Sequence, residues 1–326
     1  MSKISAAITA VGAYVPEYVL TNQMLEKMVD TNDEWITTRT GIKERRILKE
    51  DGKGTSFLAI NAAKDLINKT GLDPKEIDLV IVATASPDMK AASTAAYTAT
   101  QIGATNAFSF DLEAACSSFL FGMSTASSYI ESGRYKKILL IGADKMSSII
   151  NYKDRATCII FGDGAGAVLF EPNNENLGLQ DEYLRTDGSG REFLQATYGG
   201  SSHSITHEVL DNGGHYAFQE GRRRMEDQIH AVDQALFKIK TPSLFHPVAK
   251  NFASAIGVFF TVFYKTFCSF KNPIHTSNYV THSKIAQISI TIGHTLPHSC
   301  QIPYPFLQLK RYITKRIVRL WPIFLL

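Results

Sequence analysis

Short, nearly unbroken apolar runs alternate along this chain with longer stretches whose apolar positions recur at helical spacing. Ile4-Ser-Ala-Ala-Ile-Thr-Ala-Val-Gly12, Asp78-Leu-Val-Ile-Val-Ala-Thr-Ala85 and Lys137-Ile-Leu-Leu-Ile-Gly-Ala-Asp144 have the composition of strands buried on both faces. Between the first two, Phe57, Ile60, Ala63, Leu66 and Ile67 form one stripe, predicting a helix from Ser56 to Lys69 that Asp73-Pro74 stops soon after. Phe108 to Cys116 predicts another strand and a tight corner, and the residues from Ser117 a helix. The alternation predicts a layered α/β fold with one half in residues 1–172 and a second in residues 173–326. Gly162-Asp-Gly-Ala-Gly166, at the start of the second half, lacks the G-x-G-x-x-G spacing, so tight strand packing is expected rather than a phosphate cradle.

With 326 residues, 44% of them hydrophobic, the chain can bury one large or two medium cores. Four cysteines without close, even spacing, and no charged-then-apolar leader, predict a reducing, cytoplasmic setting. The longest apolar run, Ala253 to Tyr264, is too short for a membrane-spanning helix, which needs about 20 residues. His203 and His207 are four apart, but no third ligand accompanies them, and Cys158, Cys268 and Cys300 show no zinc spacing; no metal site is predicted.

Charge is divided unevenly. Residues 1–233 contain all 31 acidic residues and 23 of the 34 lysines and arginines, whereas residues 234–326 contain 11 basic residues and no acid. All nine histidines lie at or after His203, and only Gly257 and Gly293 of the 22 glycines fall after residue 233. A turn-rich α/β domain needs glycines at positive φ, so this basic tail lacks the punctuation of what precedes it. Basic, aromatic-bearing segments such as Leu309 to Trp321 have the chemistry to hold an anionic membrane surface or nucleic acid. A divergent domain is a second account of the tail.

Cys116 is the strongest candidate for chemistry. A strand, a corner of small residues and a helix place its thiol at a helix N-terminus, where unpaired amides and the helix dipole favour the thiolate. A buried, inert cysteine is the competing account of the same local sequence.

The run Phe108-Ser-Phe-Asp-Leu-Glu-Ala-Ala-Cys116 with Ser117-Ser-Phe-Leu-Phe-Gly-Met resembles the active-site corner of the thiolase-fold condensing enzymes, specifically β-ketoacyl-acyl carrier protein synthase III. Further blocks resemble the same family in the same order: Thr31 to Arg45, Asp154-Arg155 with Phe161 to Phe170, Leu184 to Gly190, and His215 to Gly221. The resemblance runs to about Arg222. It implies a thiolase-like layered α/β/α/β/α fold whose second half is here incomplete or divergent, with Phe161 to Phe170 as that half's opening strand.

The resemblance also implies a function. Cys116 takes an acyl group from coenzyme A as a thioester, and malonyl-acyl carrier protein loses carbon dioxide and attacks the acyl-Cys, a step split in two by the covalent intermediate. Trp35 matches the position that stacks on the adenine of coenzyme A, and Arg39, Thr40 and Arg155 match polar and phosphate-facing contacts. Ala91 stands where the family usually has a bulky residue closing the partner subunit's acyl pocket. A cytoplasmic homodimer is implied, with acyl carrier protein and acyl-CoA as partners and no metal or prosthetic group. The family's Pro-His-Gln-Ala-Asn and Gly-Asn-Thr-Ser blocks, which stabilise the condensing enolate, have no counterpart. His246, Asn278 and His298 are the nearest candidates by position or by the Pro-His dipeptide. Resemblance and ordinary composition end within the same dozen residues, as they would if the reading frame left the ancestral one shortly after Gly221. A condensation-defective or non-functional, frame-disrupted synthase fragment and a basic-tailed membrane or nucleic-acid binder are the alternative functions.

Overall fold

The computed structural model describes residues 4–186 and 188–219, and the backbone of three strands beyond them. In chain order the elements are β1 (Ser5–Tyr14), β2 (Tyr18–Thr21), α1 (Asn22–Leu25), α2 (Asp33–Thr40), β3 (Glu44–Ile47), α3 (Thr55–Thr70) and β4 (Leu79–Ala83). There follow α4 (Thr94–Ile102), β5 (Phe108–Leu112), α5 (Ser118–Glu131), β6 (Ile138–Lys145), α6 (Arg155–Cys158) and β7 (Asp163–Asn173). The remaining elements are β8 (Gly178–Arg185), β9 (Leu194–Gln195), α7 (His207–Asp211), β10 (Phe218–Gln219), β11 (Gln234–Lys240), β12 (Gln287–Thr291) and β13 (Arg319–Leu320).

A five-stranded sheet in the order β1-β7-β6-β4-β5 forms the centre. β4 runs parallel to β5 and β6, while β7 runs antiparallel to both β6 and β1. One correction follows: Phe161 to Phe170, expected to be the opening strand of the second half, falls largely in β7, an interior strand of the first sheet. Its alternating registers with Ala10–Tyr14 and Ile138–Lys145 leave no room for a role in another sheet. The expected glycine packing also holds only in part. A Cβ at Gly162 would lie 3.2 Å from the Arg46 carbonyl, but nothing stands within 4 Å of one at Gly166.

The apolar runs behave as buried strands: every residue of β4 is buried, and all of β6 except Lys145. Helices α3 and α4 bury one face of the sheet through Ala59, Ala62, Ala63, Leu66, Ala95 and Ala99 against Val80, Val82, Leu139 and Ile141. Helix α5 covers the other through Phe119, Leu120, Met123 and Ala126 against Ile81, Leu140 and Phe170. Removing the Val, Leu, Ile, Phe and Met side chains among these from water contributes roughly 1.5–3 kcal/mol each.

The α3 stripe is turned relative to expectation. Leu58, Ala59, Ala62, Ala63 and Leu66 are buried, while Phe57, Ile60 and Ile67 flank them. The cause is proximity: a Cβ on Gly12 of β1 would meet the Ala62 carbonyl oxygen at 2.3 Å, so only small side chains fit where helix and strand touch. Helix α3 stops at Gly71, with φ of 70°, whose amide donates to the Ile67 carbonyl; Pro74 then opens a single 3-10 turn.

A second sheet, in the order β13-β12-β11-β8, joins β8 to backbone segments from the acid-free part of the chain. His246, Asn278, His298, the apolar run 253–264 and most of the segment 309–321 lie outside the described residues. No helix among the described residues is long and apolar enough to cross a membrane.

Candidate active site

β5 delivers the chain to Cys116. After Leu112 the backbone passes Glu113 and Ala114, makes one 3-10 turn at Ala115–Ser117, and enters α5 at Ser118. Ala115 has φ of 44°, an unusual conformation for a residue with a Cβ, and one that strained functional corners adopt. The turn is stitched locally: Ser117 N donates to the Ala114 carbonyl at 2.9 Å. The Ser118 hydroxyl accepts from Ala114 N and donates to the Ala115 carbonyl, both at 2.7 Å. Ser117, the cap residue, makes no side-chain capping bond. Cys116 thus stands at the amide-bearing end of a 14-residue helix, half-buried rather than sealed.

Two devices hold that corner. Gly122 lets α5 lie on β6, because a Cβ there would meet Leu140 Cδ1 at 2.6 Å. Asp144, at the end of β6, is 6% exposed. Its Oδ1 accepts from Thr84 Oγ1, Ala85 N, Ser86 N and Ser86 Oγ at 2.7–2.9 Å. Thr84 N in turn donates to the Leu112 carbonyl at 3.2 Å, four residues before the cysteine. Burial pushes the Asp144 carboxyl up to about 6, and those hydrogen bonds restrain the rise.

Trp35 lies on α2, which Asn32 caps by accepting from Trp35 N at 2.7 Å, and which Gly41 ends at φ of 78°. The Arg39 guanidinium lies 4.7 Å from the indole centroid and that of Arg155, on α6, 4.9 Å. The structure therefore brings together three of the four residues proposed for the nucleotide. Arg155 also donates to the Asp30 carbonyl at 2.8 Å. Thr40 departs from expectation. It is 3% exposed, its hydroxyl donates to the Ile36 carbonyl at 2.8 Å, and it accepts from Ile42 N at 3.0 Å. Its position on the inner face of α2 turns it into a support of the helix end rather than a contact surface.

Sequence reasoning missed the buried pair Arg45 and Asn22. Period-two alternation in β3 was the available signal, since it puts Arg45 on the same face as Ile47, and both are buried. Burial lowers the Arg45 guanidinium to about 10, which leaves it protonated at neutral pH. Nearby Cys158 is buried, and its thiol is raised to about 11, first by burial and then by Asp154, which disfavours its thiolate.

A cavity of about 450 Å³ opens elsewhere, between the starts of α3 and α4, lined by Lys53, Phe57, Asn61, Asp88, Ser93 and Tyr97 among others. No predicted site residue lines it. Ala91, exposed and at φ of 68°, lies in the neighbouring loop. His203 contacts Ser202 at 2.9 Å and stands before α7, which begins at His207, so the two histidines share no helix. Among the described residues no cluster of three or more His, Cys, Asp or Glu side chains has metal-binding proximity.

Residues 110–188, which contain the Cys116 corner, match the family model described as 3-oxoacyl-[acyl-carrier-protein (ACP)] synthase III. A relative from Chlorobium phaeovibrioides, named beta-ketoacyl-[acyl-carrier-protein] synthase III, is 52% identical over 238 residues, 72% of this chain and 72% of its own. The chain belongs to the synthase III family. Synthase III 2 of Bacteroides thetaiotaomicron is 58% identical over 222 residues, and the chain spans 66% of that relative's length. The solved synthase III from Aquifex aeolicus VF5 is 41% identical, with a TM-score of 0.57 over 64% of this chain and 67% of its own. The Thermus thermophilus structure gives 37% identity and a TM-score of 0.61 over 68% of each chain. A third synthase III structure, 20% identical, overlays 88% of this chain and 95% of its own with a TM-score of 0.66, and bears on the fold alone. The layered α/β fold expected of the family is the one these structures share with the chain.

Proposed function

We propose that this chain is an acyltransferase of the synthase III type, in which Cys116 accepts an acyl group from acyl-CoA while Trp35, Arg39 and Arg155 hold the nucleotide end. The observation that carries this reading is the strained corner at Ala115, which presents a half-buried thiol at the start of α5. Attack by the sulfur on the thioester carbonyl forms the acyl-Cys bond, breaks the bond to coenzyme A sulfur, and releases the free coenzyme. An indole offers a flat face to a purine, and two guanidinium groups beside it suit phosphate oxygens. No further cofactor is needed for this transfer.

Two finer points belong to the same reading. The second substrate is malonyl-acyl carrier protein, with chain elongation by two carbons in fatty acid synthesis. The working form is a cytoplasmic homodimer: among the described residues β5 is an edge strand, pairing with β4 on one side, and Phe108 on it is 40% exposed. Sedimentation at a mass near 72 kDa, twice the 36.1 kDa chain, is expected, and a monomer at assay concentration would refute it.

A second reading is favoured by the sequence after residue 222, where neither the Pro-His-Gln-Ala-Asn nor the Gly-Asn-Thr-Ser block occurs. On it, the chain acylates Cys116 but does not condense, because losing one oxyanion donor alone costs about 10²–10³ in rate. Labelled acetyl-CoA tests the first step. Acid-stable label on the parent chain and none on Cys116→Ala supports it, and label that persists in the variant sinks it. Carbon dioxide release dependent on malonyl-acyl carrier protein tests the second step, and measurable release would exclude the condensation-defective reading.

A further inference from the structure

Two elements more than a hundred residues apart carry the indole cluster: α2 supplies Trp35 and Arg39, and α6 supplies Arg155. Beneath them runs a buried polar chain. Arg45, 4% exposed, donates from Nε at 2.9 Å and also from Nη2 to the carbonyl of Ile159, the residue that ends α6. Its Nη1 donates to Asn22 Oδ1 at 2.5 Å. Asn22, fully buried, donates from Nδ2 to Asp33 Oδ1 at 2.6 Å, Thr37 Oγ1 at 3.2 Å and the Ile42 carbonyl at 2.8 Å. Asp33 is the first residue of α2, Thr37 lies one turn later, and Ile42 follows its end. One guanidinium and one amide therefore tie the end of α6 to both ends of α2.

We infer that Arg45 and Asn22 are positioning residues for the nucleotide end of acyl-CoA, fixing α6 against α2 so that Arg155 joins Arg39 over the Trp35 ring. This rests on the proposal that Trp35 receives the adenine. A buried cation whose acceptors are a neutral carbonyl and a neutral amide is costly to desolvate, so packing alone does not account for it. The planar fork of arginine reaches two acceptors on different elements at once, whereas the single ammonium of lysine does not.

The chain has two tryptophans, Trp35 and Trp321, so Trp321→Phe leaves Trp35 as the sole indole reporter. In that background coenzyme A is expected to quench the indole fluorescence. Arg45→Lys and Asn22→Leu are each expected to weaken coenzyme A binding by about tenfold to a hundredfold, the scale of a misplaced contact group. Labelling of Cys116 by acetyl-pantetheine, which lacks the nucleotide, is expected to be unchanged in both. Unchanged coenzyme A affinity in both variants overturns the inference. So does an equal loss with both ligands, or failure of both variants to fold, since either assigns the pair to the core alone. If coenzyme A leaves the indole of the Trp321→Phe parent unaffected, the assignment of Trp35 itself fails and this inference falls with it; a quenched parent with unaffected variants sinks only the positioning role.

Discussion

The Cys116 corner and the Trp35 cluster are built by different means. The corner is built from consecutive main chain and close packing, a positive φ at Ala115, a helix start and a glycine that lets α5 sit on the sheet, with the Ser118 hydroxyl and the Asp144 carboxylate hydrogen-bonded around it. The cluster is a side-chain device: Trp35 and Arg39 are neighbours on α2, Arg155 reaches them from α6, and buried Arg45 and Asn22 hydrogen-bond to segments of both helices. At the first, a Cβ added at Gly122 would stand 2.6 Å from Leu140 Cδ1, so bulk at the contact with β6 is expected to be costly. The second depends on buried donors, so the loss of Arg45 or Asn22 is the change expected to disturb it most.

Substitutions can break the contrast. Cys116→Ala is expected to have the largest effect, complete loss of acid-stable acyl label with unchanged coenzyme A binding, read by intact-protein mass and by Trp35 fluorescence. Trp35→Ala should do the reverse. A stacked base contributes about 1–3 kcal/mol, so coenzyme A binding by calorimetry should fall by roughly one to two orders of magnitude, while labelling by acetyl-pantetheine persists.

Gly122→Leu places side-chain bulk where a Cβ already stands 2.6 Å from Leu140 Cδ1. Overpacking of this kind costs about 1–3 kcal/mol, visible as a lowered thermal midpoint. Labelling by acetyl-CoA and by acetyl-pantetheine should then drop together, because the corner is blind to the nucleotide.

The smallest expected effect is on pH. Asp144 titrates near 6 in the fold against an ordinary value of 3.8, so the folded state holds this proton more tightly than the unfolded chain. Its contribution to stability is present below about pH 4 and is lost as pH rises through about 6, a change on the order of 2 kcal/mol. Urea unfolding at pH 4 and pH 7 should show that decline in the parent chain, and Asp144→Asn should flatten it.

The sequence made the sheet core and the corner legible for a physical reason. Strands such as Leu79–Ala83 are apolar at every position because both faces are covered, and that pattern is local. Cys116 was readable because the strand, the small residues and the helix around it are consecutive. The direction of β7 was not readable, since strand pairing depends on residues some 150 positions away. Nor was the burial of Thr40, whose hydroxyl is taken up by Ile36 and Ile42 only once Gly41 has turned the chain. The rotation of the α3 stripe has a similar origin, because Phe57 and Ile60 are as apolar as Leu58 and only the approach of Gly12 decides which face is inward.

The interior position of β7 has a consequence for synthesis of the chain. Ser5 pairs with Asn173 and Tyr14 with Ala165, so among the described residues β1 has no sheet neighbour until β7 has been made. Closing that pairing late, across a long loop, slows folding and leaves an apolar ribbon open to other chains in the interval. A nascent chain interrupted before Asn173 would therefore leave β1 without the pairing it has in the fold.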